Sequence, residues 1–379
     1  MVKDKKGTEE TLFDSQKLKD SAPLTIDKQA SPQEAATTEK QSFKAELNDA
    51  VSLRTFVLLF GVLLIQFAFI ASYIGAFHQP TPHNVPVGVV APEPLRQQFI
   101  DNINKIDNHP IQASAVDNEQ AGRDALKNED LTGVYILNPA GTQDKMLVAS
   151  ASGASITEAA EQVMTQAAAT QHRTVQFEDT AATQHGDGRG LTSFYLVVGW
   201  IVGGYLFAAM LGIAKGAKAI NLRRALFRIG ALIPYALLSG LGGAWIVDHQ
   251  LGALTGHYIE LSLMGSLLVF CSAIVTMALQ SLFGVIGIGI TVLIFVVLGN
   301  PSAGGPYQAN MLPDFWRNIG PYIPNGAGTS AVRSIIYFDG VKVQHQINII
   351  LVWTIVALII TVLAATLHRG KDPLDKIDN

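Results

Sequence analysis

The charged side chains most capable of chemistry in this sequence are Asp314, Arg317, Arg333 and Asp339, which fall within one short stretch. Near the outer interface they are the candidates for the convergent polar cluster that a membrane enzyme would need. They read more simply as structural ion pairs. Other reactive arrangements are missing. Asp101, Asp107 and Asp117 are scattered. His78, His83, His109, His172 and His185 lack a ligand spacing such as H-x-x-x-H. No G-x-S-x-G nucleophile elbow occurs. Ser152-Gly153-Ala154-Ser155 instead reads as a loop ending in a helix cap, with Ser155 and Glu158 at capping-box spacing. No G-x-x-x-x-G-K-[ST] phosphate loop is present, so the chain does not hydrolyse ATP by that route. No catalytic, cofactor-binding or metal-ligating residue is assigned, and the chain is not read as an enzyme.

The elements that would carry these residues are membrane spans. The chain has 379 residues, of which 49% are hydrophobic and only 15% charged, against about 25% charged in a soluble domain. Residues 1–50 are polar and read as a disordered cytoplasmic tail, with a weakly amphipathic segment near Phe43–Leu53. The first apolar stretch comes too late and is too long for a cleavable signal peptide. The runs Thr55–Phe77, Leu191–Ile213, Ile229–Val247, Tyr258–Leu279, Gly284–Leu298 and Ile347–Leu367 predict about six transmembrane helices. Arg54, the cations Lys215, Lys218, Arg223, Arg224 and Arg228, and His368, Arg369 and Lys371 after the last span then share one side. By the positive-inside rule that side is the cytoplasm, which makes both termini cytoplasmic. The loop Asp248–His257 has no Lys or Arg, as an outer loop should. Arg317, Arg333 and Lys342, in the outer 300–346 segment, are a mild exception.

This topology puts 78–190 outside, as an extracytoplasmic domain. Val85–Val90, Ile111–Val116, Leu131–Leu137, Lys145–Ser150 and Thr174–Glu178 read as strands. Pro94–Ile106, Glu119–Lys127 and Ser155–Ala169 read as helices. The alternation predicts a small α/β domain. Cys271 is the single cysteine, so no internal disulfide supports this domain.

The domain plan is therefore a tail over 1–50, a first helix over 51–77, the outer domain over 78–190, a five-helix membrane domain over 191–370 with a re-entrant outer segment at 300–346, and a cytoplasmic tail over 371–379. Within the spans, Glu260 and Asp248 lie near the outer interface. No carboxylate sits at the midplane, which counts against a proton-coupled carrier. For Glu260, interfacial solvation or pairing is the simple reading and a place in a transport path the alternative. Gly199 and Gly203 form a G-x-x-x-G pair that permits close helix approach. Lys215–Arg228 reads as a short amphipathic helix, its apolar residues in the interface and its cations toward anionic lipid headgroups. The alternative is a docking surface for a cytosolic partner. No long basic run suggests nucleic acid.

The most distinctive stretch is Gly299-Asn300-Pro301-Ser302-Ala303-Gly304-Gly305-Pro306-Tyr307, a glycine- and proline-dense turn, followed by Leu312-Pro313-Asp314-Phe315-Trp316 with a helix start at Pro313-Asp314. Together with Arg333, Tyr337-Phe338-Asp339-Gly340 and the outer segment Ala121–Pro139, it resembles the YhgE/Pip-like branch of type 2 ABC permeases over residues 50–370. The resemblance implies six helices working as a homodimer or heterodimer. It implies a re-entrant outer motif carrying Asn300, Pro301, Gly304, Gly305, Trp316 and Arg333, and a cytosolic ATPase docking at Lys215, Lys218, Arg223 and Arg224. The function so implied is a permease-like subunit exporting lipidic or amphiphilic compounds with a separate ATPase. The alternative is a non-transporting scaffold, secretion component or surface receptor acting through the outer domain.

Overall fold

The computed structural model describes residues 52–218 and 221–367. The expected tails 1–50 and 371–379, and all but the end of the 43–53 segment, lie outside the described residues. Nearly all of the described fold lies in one compact unit that begins at Val57.

The helix Leu53–Phe77 (α1) is apolar on every face, with only 6% of its most apolar window buried. After it come five strands: Val85–Val90 (β1), Ile111–Ala115 (β2), Gly133–Ile136 (β3), Gln143–Val148 (β4) and Thr174–Asp179 (β5). Interleaved with them are the helices Leu95–Asn104 (α2), Glu119–Lys127 (α3) and Ala154–Ala169 (α4). The strands make one sheet in the order β2-β1-β3-β4-β5. β1 runs parallel to β2 and β3, β4 antiparallel to β3, and β5 parallel to β4.

The valine run of β1 suits a strand covered on both faces. Val85, Val87 and Val89 face a core with Phe99 and Ile103 of α2 and Met164 of α4. The opposite face packs Val134 and Leu147 against Leu126 of α3. The sequence boundaries for these elements hold to within a few residues. One detail changes: Ser155 is not the cap of α4. A short helical turn, Ser150–Ser152, runs into α4 through Gly153, and Ser155 already lies inside the helix. Its capping role passes to Gln308, far along the chain.

Four further helices are long and apolar enough to cross a membrane: Thr192–Lys215 (α5), Leu222–Trp245 (α6, prolonged by a π-helical turn to Gln250), Tyr258–Phe283 (α7) and, at the end of the chain, Val343–Leu367. With α1 they make five. The expected fifth span is a shorter apolar helix, Ile286–Ser302 (α8). Beyond it lie two helices, Asp314–Ile319 (α9) and Pro324–Tyr337 (α10), before Val343–Leu367 (α11).

α7 is the hub of the bundle: 78% of its apolar window is buried, and it packs against α5, α6, α10 and α11. The close approach relies on small residues. Trp200 of α5 is flanked by Gly243 of α6 and Gly265 of α7, and its indole N–H donates to the Ser239 carbonyl at 3.2 Å. Of the expected Gly199/Gly203 pair only Gly203 meets a neighbour: Tyr235 of α6 donates to its carbonyl at 3.1 Å, while nothing approaches Gly199. The tightest approach is at Gly204, where a Cβ would lie 2.0 Å from Ser272 Oγ.

Two other expectations change. Among the described residues, no separate amphipathic helix spans 215–228: α5 continues to Lys215, and Asn221 starts α6 by accepting the Arg224 N–H at 3.0 Å. A side-chain cap at Asn221 makes Leu222, Leu226 and Phe227 the first turns of a span. Secondly, Gly299–Ser302 is not turn but the end of α8, with helical dihedrals at Gly299 and Asn300. Leu293–Gly299 is π-helical, and Pro301 removes a further backbone donor. Side chains supply the hydrogen bonds instead. Asn325 Nδ2 donates to the Phe295 carbonyl at 2.9 Å, Ser72 Oγ to Val297 at 2.6 Å, and Ser302 Oγ to Leu298 at 2.8 Å.

Candidate functional site

Two regions hold the residues singled out in the sequence. The first is the connector between α8 and α11, residues 303–342. Gly304 has a positive φ of 73° at the turn out of α8. Gly305 lies against the ring of Phe194, which a Cβ would strike at 2.5 Å. Trp316 on α9 donates its indole N–H to Ser72 Oγ at 3.1 Å and rests on Gly75, so it joins the connector to α1. Asn300 accepts from Asn325 Nδ2 at 2.8 Å. Arg333 on α10 is buried and donates to the Gly304 carbonyl at 3.1 Å, while its Nε has no partner.

The connector also grips the α/β domain. Gln308 Oε1 accepts from Ser155 Oγ at 2.6 Å and from the Ile156 N–H at 3.2 Å, and so satisfies the start of α4. Asn310 Nδ2 donates to the carbonyls of His83 at 2.9 Å and Asn84 at 3.2 Å. On the far side, Ser334 Oγ donates to Glu129 Oε2 at 2.9 Å, Lys342 pairs with Asp130 at 3.0 Å, and Lys127 with Asp339 at 3.3 Å. Tyr337 donates to the fully buried Asp187 at 2.6 Å, whose other oxygen accepts the Thr192 N–H that opens α5. Burial pushes the Glu129 carboxyl above its ordinary range, against the weaker opposing pull of the Ser334 hydrogen bond and the nearby Lys342 and Arg333 charges.

The four charged residues read as catalytic candidates do not converge. Asp314 pairs with Arg317 one turn along α9, Asp339 with Lys127, and Arg333 with a carbonyl. No group of three metal-ligating side chains is found among the described residues. Inside the α/β domain, Asp144 is buried and accepts hydrogen bonds from Arg173, Tyr135 and the Asn138 N–H. Burial works against its charge, but these hydrogen bonds outweigh it and hold its carboxyl below the usual range. It is a structural group in the sheet core.

The second region is the opposite end of α5 and α6. Between Asp187 and Asp248 the sequence contains no acidic residue. Lys215, Lys218 and Arg223 are exposed and Arg224 is half-buried, and none of the four makes an ion pair among the described residues. Arg223 lies over the Phe227 ring at 5.6 Å. Arg228 turns inward instead. It donates to the carbonyls of Lys215 at 3.1 Å and Gly216 at 2.8 Å, closing the end of α5. A hollow of about 340 Å³ opens between Lys215, Arg224, Phe227 and Arg228.

A third feature, a groove of about 540 Å³ between α7 and α11, is walled by Leu263, Met264, Leu267, Val343 and Ile347, with Glu260 and Asp339 at its rim. Glu260 lines this groove.

The residues Gln308, Asn310 and Glu129, through which the connector and the domain bind, and Ser72, which ties α1 to α8 and α9, were not visible in the sequence. Each is an isolated polar residue with no periodic or motif context.

This arrangement defines a polytopic helical membrane protein with one α/β domain inserted between its first two spans. The ABC-2 family transporter protein model matches residues 52–367, and the chain belongs to that family. It is a permease-like membrane subunit, of a kind that normally works with a cytosolic ATPase. No curated protein and no solved structure matches it.

Proposed function

We propose that this chain is the membrane subunit of an export system of the YhgE/Pip-like kind, moving lipidic or amphiphilic compounds with a separate cytosolic ATPase docked on the α5–α6 end. The observation that carries the reading is the cluster Lys215, Lys218, Arg223 and Arg224, acid-free in its stretch of sequence and unpaired among the described residues, beside a hollow large enough to accept a partner's side chains. Cations without ion-pair partners favour an anionic surface. The apolar groove between α7 and α11 suits an amphiphilic cargo, since its volume falls in the range of ligand sites.

In this reading the protein has six crossings, both ends are cytoplasmic and the α/β domain is extracytoplasmic. α8, with its 17 residues, is about 25 Å long, slightly short of a core of about 30 Å. It supports a sixth crossing because it must return the chain from the Phe283 end to the connector that grips the α/β domain. The connector forms the re-entrant outer element, and two copies of the subunit work as a dimer whose lipid-facing surfaces include α1.

The test is the double substitution Arg223→Ala/Arg224→Ala. Asn221 still caps α6 through its own side chain, so the fold stays intact. Copurification of an ATPase with the wild type, together with its loss and the loss of export in the variant at unchanged membrane level, is the expected result. Undiminished export in the variant would remove the docking argument.

A further inference from the structure

Where the connector meets the loop after α3, a polar cavity of about 280 Å³ is lined by two opposite charges, Arg333 and Glu129, that feel one another but make no direct ion pair. Glu129, Thr132 and Ser152 line it from the α/β domain, and Ser330 and Arg333 from α10. Arg333 is only 6% exposed. Its Nε–H is buried without an acceptor, and no carboxylate pairs with it among the described residues. An uncompensated guanidinium at such a depth is expensive unless something answers it.

Glu129 stands in the same cavity. One of its oxygens accepts from Ser334, and the other has no hydrogen-bond partner among the described residues. Lys342 acts on it only at a distance, because its ammonium contacts Asp130 at 3.0 Å and the Glu129 backbone carbonyl at 2.8 Å instead of the carboxylate. Thr132, Ser152 and Ser330 also line the space, and their hydroxyls have no hydrogen-bond partner among the described residues.

We infer that this cavity binds a zwitterionic group, with an oxyanion against Arg333 and an ammonium against Glu129, of the chemistry found in an aminoalkyl phosphate. An anion alone would face the Glu129 carboxylate, and a cation alone would face Arg333. Only a group carrying both charges matches both walls, and the free hydroxyls complete its hydrogen bonds. The inference does not rest on export. A chain that binds such a group and transports nothing, or transports without binding it, separates the two readings.

The same chemistry can arrive as a free solute or as a lipid headgroup, and the experiment distinguishes them. Full-length protein, freed of phospholipid in detergent, is titrated calorimetrically with O-phosphoethanolamine, inorganic phosphate and ethanolamine. In nanodiscs, retention of phosphatidylethanolamine and phosphatidylglycerol is compared by native mass spectrometry. The expected result is a preference of roughly tenfold or more for the zwitterion over phosphate, ethanolamine or phosphatidylglycerol. Tight binding of soluble phosphoethanolamine identifies a solute site, and binding of the lipid alone identifies a headgroup site. Arg333→Gln should abolish binding. Glu129→Gln, at a partly exposed position and able to keep the Ser334 hydrogen bond, should erase the preference without unfolding the protein. Equal binding of phosphate and phosphoethanolamine, an unaltered preference in Glu129→Gln, or no binding in any arm would overturn the inference and leave the cavity to water.

Discussion

Replacing Asn325 with leucine tests how the irregular end of α8 is held. Asn325 is fully buried, and its amide donates both to the Phe295 carbonyl at 2.9 Å and to Asn300 Oδ1 at 2.8 Å. Leucine fills similar space but donates nothing. Each abandoned buried acceptor costs about 1–3 kcal/mol. Asn300 can turn toward another donor, so the Phe295 carbonyl sets the larger share. Against this, the native Asn325 Oδ1 is itself buried without a partner, and removing it recovers about 1 kcal/mol. The net expectation is a destabilisation of about 1–3 kcal/mol. Tryptophan fluorescence during titration of detergent micelles with a denaturing detergent measures it. A double-mutant cycle with Asn300→Ala should be non-additive by about 0.5 kcal/mol or more, as expected for groups in contact. An Asn325→Leu protein as stable as the wild type would show that the π-helical segment satisfies its own carbonyls, and strict additivity would sever the Asn300 link.

Gly265→Ala places a methyl carbon 2.3 Å from Cε2 of Trp200 and should cost about 1–3 kcal/mol through overpacking, read as a lowered midpoint in the same titration. Gln308→Ala leaves the start of α4 without its acceptor, for about 1–2 kcal/mol, and faster proteolysis around residues 150–158 with the membrane helices intact is the measurable sign. Asp144, whose carboxyl is held low in the folded state, contributes stability above its unfolded pKa of about 3.9. That contribution is lost as pH falls through the lower folded value. Unfolding of the α/β domain should therefore be insensitive to this group at neutral pH and steepen below about pH 4, and Asp144→Asn should flatten that acid limb while lowering stability at neutral pH.

The α/β domain was the most legible part of the chain because its signals are local. Val85–Val90 is a buried valine run, Asn138-Pro139 ends a strand, and α3 carries its own Asn118 cap at 2.9 Å from Ala121 N. The long spans were legible for the same reason. What failed depends on partners remote in sequence. A G-x-x-x-G pair shows that close approach is allowed at Gly199 and Gly203, but not which face meets a neighbour: Gly203 touches Tyr235, Gly199 meets nothing, and the closest approach falls at Gly204. Pro301 reads as a break unless Ser72, more than two hundred residues earlier, is known to serve the carbonyl its ring leaves bare. Arg333 stood out as a charge in an apolar region. Glu129, the acid that shares its cavity, looked like one surface residue among many.

The grip of Gln308, Asn310 and Ser334 on residues 78–190 bears on how this protein can be rearranged. In sequence the α/β domain is a clean insertion, the sort of segment that could be exchanged between relatives at two junctions. In three dimensions it is completed from elsewhere: Gln308 satisfies the start of α4, and Phe338 belongs to the core beneath α3. The unit of inheritance is thus a pair of segments, the domain and the connector over 303–342. A chimera that carries one without the other inherits an uncapped helix and a hole in its hydrophobic core, and its two halves have to diverge in step.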